Sequence, residues 1–397
     1  MYRLLLFSIM LAAQVASSKC GSSSSSSSTS TASTNVLQVV VNGGPTNNAL
    51  NQLFATVTIC VPGTSNCQTI SGILVDTGSV GLRVLSSVLT QQLQLPQQTG
   101  AGGAPVVECL PFVDGFTWGP VQTADVKIAG ETASNIPIQV IGVDKFPTIP
   151  TSCSSQGTSE ETLTDLNANG ILGLGLFPDD CGLGCTLTGS TNPGLYYSCP
   201  TPASCLVTTE AEASQVQNPV SHFAIDNNGV VIQLPSVPSG GAASVAGTLT
   251  FGIGTQSNNA LGSAKVFTLD GSFNFGTTFN GVAYPSSFID SGSNGVFFLD
   301  SATTGLPNCS LSTGFYCPTT LTSLSATQRG LNGTSNVVAF NAGNVDRVNA
   351  TFSALAEATG SNPGGFDWGL PFFYGRTVFT AIYGRSTPGG TGPFWAY

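Results

Sequence analysis

The sequence predicts an all-β protein built as two matched lobes with a cleft between them, and three observations carry that expectation. At 397 residues the chain is longer than one hydrophobic core usually fills. Its apolar segments are short and β-prone, punctuated by 48 Gly, 23 Pro and many Ser, Thr and Asn, with little helical periodicity. And one segment occurs twice. Ile73-Leu74-Val75-Asp76-Thr77-Gly78-Ser79 returns as Ser287-Phe288-Ile289-Asp290-Ser291-Gly292-Ser293, the two aspartates lying 214 residues apart. Each copy is an apolar strand ending on a carboxylate, followed by a small hydroxyl residue, a glycine that lets the backbone turn sharply, and a serine whose hydroxyl can bond the carboxylate. A lone copy reads as a strand running into a polar turn. Two copies suggest Asp76 and Asp290 facing each other across a pseudo-twofold axis.

In chain order, residues 1–19 have the form of an export signal: Arg3, an apolar stretch from Leu4 to Ala16, then small residues. The apolar stretch is too short for an ordinary membrane span. Cys20 stands where a bacterial lipoprotein would carry its acylated cysteine, although Lys19 replaces the small residue expected before it; the alternative is ordinary cleavage after Ser18. A Ser/Thr-rich tether fills 20–35. The first lobe is expected over 36–238 and the second over 239–397, with the Pro/Ser/Gly-rich run 235–246 as the seam.

There are eleven cysteines, and setting Cys20 aside leaves an even set suited to disulfides in an exported protein. Cys60 and Cys67, Cys199 and Cys205, and Cys309 and Cys317 bracket short loops; the pairing of Cys109, Cys153, Cys181 and Cys185 is open. There is no His-rich partner and the spacings do not form zinc knuckles, so no metal is expected.

Phe54–Ile59 and Gln68–Val75 read as a hairpin leading into Asp76. Phe112–Gly119 followed by Val121–Gly130 reads as a second hairpin, aromatic along its arms, that could fold over a cleft. Gly170-Ile171-Leu172-Gly173 and Trp368-Gly369-Leu370-Pro371-Phe372-Phe373 are apolar, glycine-containing segments in corresponding places of the two halves. His222 is the only histidine and has no nucleophile motif beside it, which disfavours Ser-His-Asp or Cys-His chemistry. Asp165–Gly170 opens like a calcium loop, but Leu176 occupies the place of the required glutamate. The sequons at Asn332 and Asn349 are expected by chance in so Asn/Ser/Thr-rich a chain. A net charge of −10 without a basic patch disfavours nucleic acid as a partner.

With these residues together, the chain resembles the pepsin-like aspartic proteases along both halves. Asp76-Thr77-Gly78-Ser79 and Asp290-Ser291-Gly292-Ser293 are similar to that family's two catalytic loops. Asn169–Gly175, Gly247–Gly252 and Trp368–Phe373 resemble its first apolar-glycine strand, the strand opening its second lobe, and its final strand and helix. The resemblance implies an endopeptidase that uses an Asp76/Asp290 dyad to activate water, needs no cofactor and takes a peptide or protein substrate. Thr77, Gly78, Ser79, Ser291, Gly292 and Ser293 would shape the dyad loops. A monomer is expected, touching a membrane only through a lipid on Cys20. Two positions depart from the family: Phe112 stands where its flap carries tyrosine, and Arg83 where a tryptophan follows the first loop. A non-catalytic envelope protein that binds a peptide, a glycan or an envelope partner in the cleft is the alternative.

Overall fold

The computed structural model describes residues 34–142 and 145–397. The expected export signal, Cys20 and nearly all of the Ser/Thr tether lie outside the described residues. Within them the chain is all-β, and its helices are single turns.

A sixteen-stranded sheet begins at Ser204–Val207 and runs through Tyr196–Thr201, Val106–Pro111, Gly115–Ile128, Glu131–Ile141, Val80–Leu85, Gly170–Leu174, Cys67–Asp76, Leu53–Cys60 and Val36–Val41. It continues through Val245–Phe251, Gly229–Leu234, Arg376–Ala381 and Phe394–Ala396 to Val266–Thr268, and its sixteenth strand, Thr158–Ser159, pairs with Gly115–Ile128. A second pairing of Leu53–Cys60, with Thr58 opposite Lys127, bends its first part back on itself like a barrel. A seven-stranded sheet holds Ser335–Ala342, Thr322–Arg329, Phe275–Phe279, Val282–Ile289, Asn362–Trp368, Val296–Leu299 and Thr359–Gly360. The expected boundary at 238/239 falls between Gly229–Leu234 and Val245–Phe251, and the sheet runs unbroken across it because Val245–Phe251 pairs with both Gly229–Leu234 and Val36–Val41.

The internal duplication is visible in the strand pairing. Cys67–Asp76 enters the first loop, Val80–Leu85 leaves it, and both pair with Gly170–Leu174, the first in parallel and the second antiparallel. Val282–Ile289 and Val296–Leu299 pair with Asn362–Trp368 in the same two senses. Each aspartate thus stands where two neighbouring strands diverge around a third. At the first loop Val80–Leu85 and Gly170–Leu174 are buried on both faces, whereas Val282–Ile289, which leads into the second, is exposed along its first half. One core of buried side chains, including Val75, Leu172, Ile289, Phe298 and Trp368, extends under both loops. On the second-loop side Phe298, Phe366 and Trp368 stack in series, with ring centroids 5.3 and 5.4 Å apart.

One expected hairpin has shifted. The turn lies at Phe112–Asp114, closed by Phe112 N–H donating to Gly115 O at 2.7 Å, and Gly119-Pro120 sits inside the long strand Gly115–Ile128. Gly-Pro ordinarily marks a turn. Here the glycine is needed because the Val140 backbone passes so close that a side chain would collide with it.

Five disulfides are present among the described residues. Cys60–Cys67, Cys199–Cys205 and Cys309–Cys317 pin short loops as expected, and the open set resolves into Cys109–Cys153 and Cys181–Cys185. Such a set belongs to proteins that mature in an oxidising, extracytoplasmic compartment. No helix among the described residues is long and apolar enough to cross a membrane.

Candidate active site

Asp76 ends the strand Cys67–Asp76, and Asp290 directly follows Val282–Ile289; both are nearly buried. The two loops interlock. Thr77 N–H donates to Ser291 Oγ at 3.1 Å, and Ser291 N–H donates to Thr77 Oγ1 at 2.9 Å. Ser291 Oγ in turn donates to Val75 O at 2.8 Å. These reciprocal bonds satisfy buried backbone donors that the sharp turns leave without sheet partners.

The glycines explain how near the loops come. A methyl group added at Gly78 would lie 2.6 Å from the Asp290 carboxyl carbon, and one added at Gly292 would lie 2.7 Å from that of Asp76. Only a residue without a side chain permits this approach. Each carboxyl is thus brought against the glycine of the opposite loop.

Each carboxyl is oriented from its own loop. Asp76 Oδ1 accepts from Gly78 N at 2.8 Å and Ser79 N at 3.2 Å, while Ser79 Oγ donates to Oδ2 at 2.5 Å. Asp290 Oδ1 accepts from Gly292 N at 2.7 Å, and Oδ2 lies 2.9 Å from Ser293 Oγ. Burial pushes the Asp290 carboxyl well above the usual carboxylate range, and the neighbouring Asp76 and Asp367 add to the rise. A close pair of acids with one member held protonated can hold and exchange a single proton.

The family model that matches this chain, over residues 31–397, is described as "Protein of unknown function (DUF3443)". The chain belongs to the DUF3443 family. Among curated proteins none matches it.

In this DUF3443 protein the hairpin tip and Arg83 have defined settings. Phe112 is half-buried and packs with an apolar cluster that includes Leu74 and Ile171, while the adjoining Val113 is fully exposed. Arg83 is entirely buried. Its Nη2 donates to Glu108 Oε1 at 2.7 Å and Asp180 Oδ2 at 2.6 Å, and its Nη1 to Val80 O at 2.5 Å. Burial works against the guanidinium charge, but Glu108 and Asp180 outweigh it and raise the Arg83 pKa. Tyr196 Oη donates to Asp180 Oδ1 at 2.6 Å and accepts from Val216 N at 2.7 Å. Glu108 lies on the strand leading to Phe112, so Arg83 anchors the hairpin at its base.

Sequence reasoning passed over Glu108, Asp180 and Tyr196, and it also missed Asp367. Asp367 sits in Asn362–Trp368 beside the second loop, with its Oδ2 2.6 Å from Ser293 Oγ. Burial raises its pKa to about 7, Asp76 adding to the rise while the Ser293 contact opposes it. The available signal was Asp367-Trp368-Gly369 occupying the place of the apolar pair before a glycine, as in Ile171-Leu172-Gly173.

The remaining sequence candidates have structural settings. His222 hydrogen-bonds Gln217 at 2.9 Å. Asp165 forms a capping box with Thr162 at the head of the turn Leu163–Leu166, just before the glycine-rich strand. Cys309, Cys317 and Asp346 cluster within metal-ligand reach of one another, but the cysteines are bonded to each other. Asp346 accepts from the N–H groups of Ser310, Leu311 and Ser312 instead.

Proposed function

We propose that the protein is an aspartic endopeptidase with the two-lobed fold of the pepsin-like proteases, its cleft floored by Asp76 and Asp290. The observation that carries this reading is the interlocking of two D-[TS]-G-S loops, each glycine lying against the other loop's aspartate. Asp290 holds the proton and Asp76 is the base. Asp76 takes a proton from a water between the carboxyls as the water oxygen adds to the scissile carbonyl, and Asp290 protonates the carbonyl oxygen. Asp76 then returns its proton to the leaving amine as the C–N bond breaks, and Asp290 recovers its own from the collapsing intermediate. No metal enters these steps.

The test is cleavage of a denatured protein substrate by purified protein between about pH 3 and 6, with and without pepstatin. Asp76→Asn and Asp290→Asn are each expected to lower the rate by ~10²-fold or more. Cleavage unaffected by either substitution defeats the reading.

Phe112 and Arg83 favour a second reading, a cleft that binds a peptide, a glycan or an envelope partner without cutting it. The hairpin tip carries no hydroxyl, and Arg83 is committed to Glu108 and Asp180. Under that reading the wild type retains a peptide ligand that both Asn variants retain equally, and cleaves nothing. We further propose that the protein works at a bacterial cell envelope, anchored through Cys20; Cys20→Ala would then release it from the membrane fraction.

A further inference from the structure

The strand pairing gives Asp367 a counterpart. In the first half, Leu74 pairs in parallel register with Ile171, two residues before Asp76. In the second half, Phe288 pairs with Asp367, two residues before Asp290. An acid therefore stands where the other half places an isoleucine. Asp367 is only 7% exposed, and its Oδ1 has no hydrogen-bond partner. A lone carboxylate in such surroundings would be expensive to bury unless it served a paired arrangement.

Its one polar contact supplies that arrangement. Ser293 Oγ lies 2.6 Å from Asp367 Oδ2 and 2.9 Å from Asp290 Oδ2. A serine hydroxyl has one hydrogen to donate. It cannot donate to two ionised carboxylates at once, so a second hydrogen bond requires a proton on one of the two acids. Ser79, the counterpart of Ser293, donates to Asp76 Oδ2.

We infer that Asp367 is a positioning residue for the Asp76/Asp290 pair, acting through Ser293 to keep the shared proton on Asp290. Above about pH 7, where Asp367 is ionised, the Ser293 hydrogen points to Asp367 Oδ2, and the Ser293 oxygen accepts the hydrogen carried by Asp290 Oδ2. That hydrogen is the one Asp290 gives to the carbonyl oxygen and later recovers, so Asp367 gains and loses nothing over the cycle. In that range the negative charge of Asp367 also strengthens the hold of Asp290 on its proton, so the pair stays mono-protonated on the alkaline side of neutral. The ionisable groups on the elements around Asp367 are few. Asp76 and Asp290 come from the loops; Val282–Ile289 contributes Tyr284, whose ring packs on Phe366; Val296–Leu299 contributes none.

The inference rests on the aspartic endopeptidase reading, and its test separates the two. Protein labelled with ¹³Cγ-aspartate is titrated by NMR as wild type, as the near-isosteric Asp367→Asn, and as Asp367→Ile, which copies the residue at 171. Asp290→Asn identifies the Asp290 resonance. In both Asp367 variants the Asp290 titration is expected to move down by about one pH unit or more, and the alkaline limb of kcat/KM to move down with it. A kcat/KM profile that merely falls in height, with Asp290 titrating as in wild type, overturns the role of Asp367. Because the NMR shift is read without turnover, an inactive wild type would defeat the endopeptidase reading while the titration still decides whether Asp367 controls the Asp290 proton.

Discussion

A methyl group on Gly292 would stand 2.7 Å from the Asp76 carboxyl carbon, well inside van der Waals contact. Gly292→Ala is therefore expected to push the loops apart, lowering stability by ~1–3 kcal/mol and separating the carboxyls; denaturant unfolding and an assay of the same variant measure both effects. The hydroxyls behind the loops make a second residue-scale prediction. Thr77→Val removes the acceptor of the Ser291 N–H and leaves that buried donor unpaired. A loss of ~1–3 kcal/mol is expected. Thr77→Ser, which keeps the oxygen, should recover most of it in the same unfolding experiment.

At the scale of elements, the hairpin Val106–Pro111/Gly115–Ile128 is held at its base by charge and by a covalent bond. Arg83→Met would leave Glu108 and Asp180 buried together without their cation, an arrangement that typically costs ~3–5 kcal/mol. Hydrogen exchange should show the loss as faster opening of residues 106–128. Cys109–Cys153 closes a far longer loop than the other bridges, with a separation of 44 residues against 4 to 8. Replacing Cys109 and Cys153 by alanine should therefore cost the most among the bridges, about 2–5 kcal/mol by thermal or urea unfolding. The hairpin's outer end has a pH-sensitive contact. Glu160 is raised to about 8, first by burial and then by the neighbouring charge of Asp114 at the tip, so Glu160 carries its proton below that pH.

For the whole molecule, these raised carboxyls set the sign of the pH dependence. The folded pKa is above the unfolded value for Glu160, 4.5 to about 8, and for Asp367, 3.8 to about 7. The folded state thus binds more protons between those limits. The corresponding stability is fully present below about pH 4 and is lost as pH rises through 7 and 8. Asp300 and Asp346 are lowered, Asp300 by the bonds it accepts at Thr303 and Asp346 by those from Ser310 to Ser312, whose effect exceeds its opposing desolvation. Their contribution is present above the ordinary aspartate range and disappears in stronger acid. Maximum stability is expected on the acid side of neutral. Urea midpoints measured across pH 3 to 9, about the whole carboxylate range, should fall between pH 5 and 8 in wild type and fall less steeply in Glu160→Gln.

The strand class, the short-loop disulfides and the two aspartate loops could be read in the chain because each is a local pattern: an apolar run, a pair of close cysteines, a carboxylate followed by a hydroxyl residue and glycine. Leu53–Cys60 and Cys67–Asp76 form within a residue or so of where alternation and turn residues place them. The bridge Cys109–Cys153, the burial of Arg83 between Glu108 and Asp180, and the meeting of Asp367 with Ser293 were not legible. Each depends on strands distant in sequence coming to lie side by side, and nothing in a residue's near neighbours encodes which partner will arrive. Gly119 shows the same limit in a single position: its neighbours say turn, while the backbone of Val140, brought in by the sheet, makes it the interior of a strand. The sequence alone determined which chemical groups were available and the local shapes that present them. Tertiary structure decided which of those groups touch, because contact between distant segments is set by the packing of the sheets as a whole.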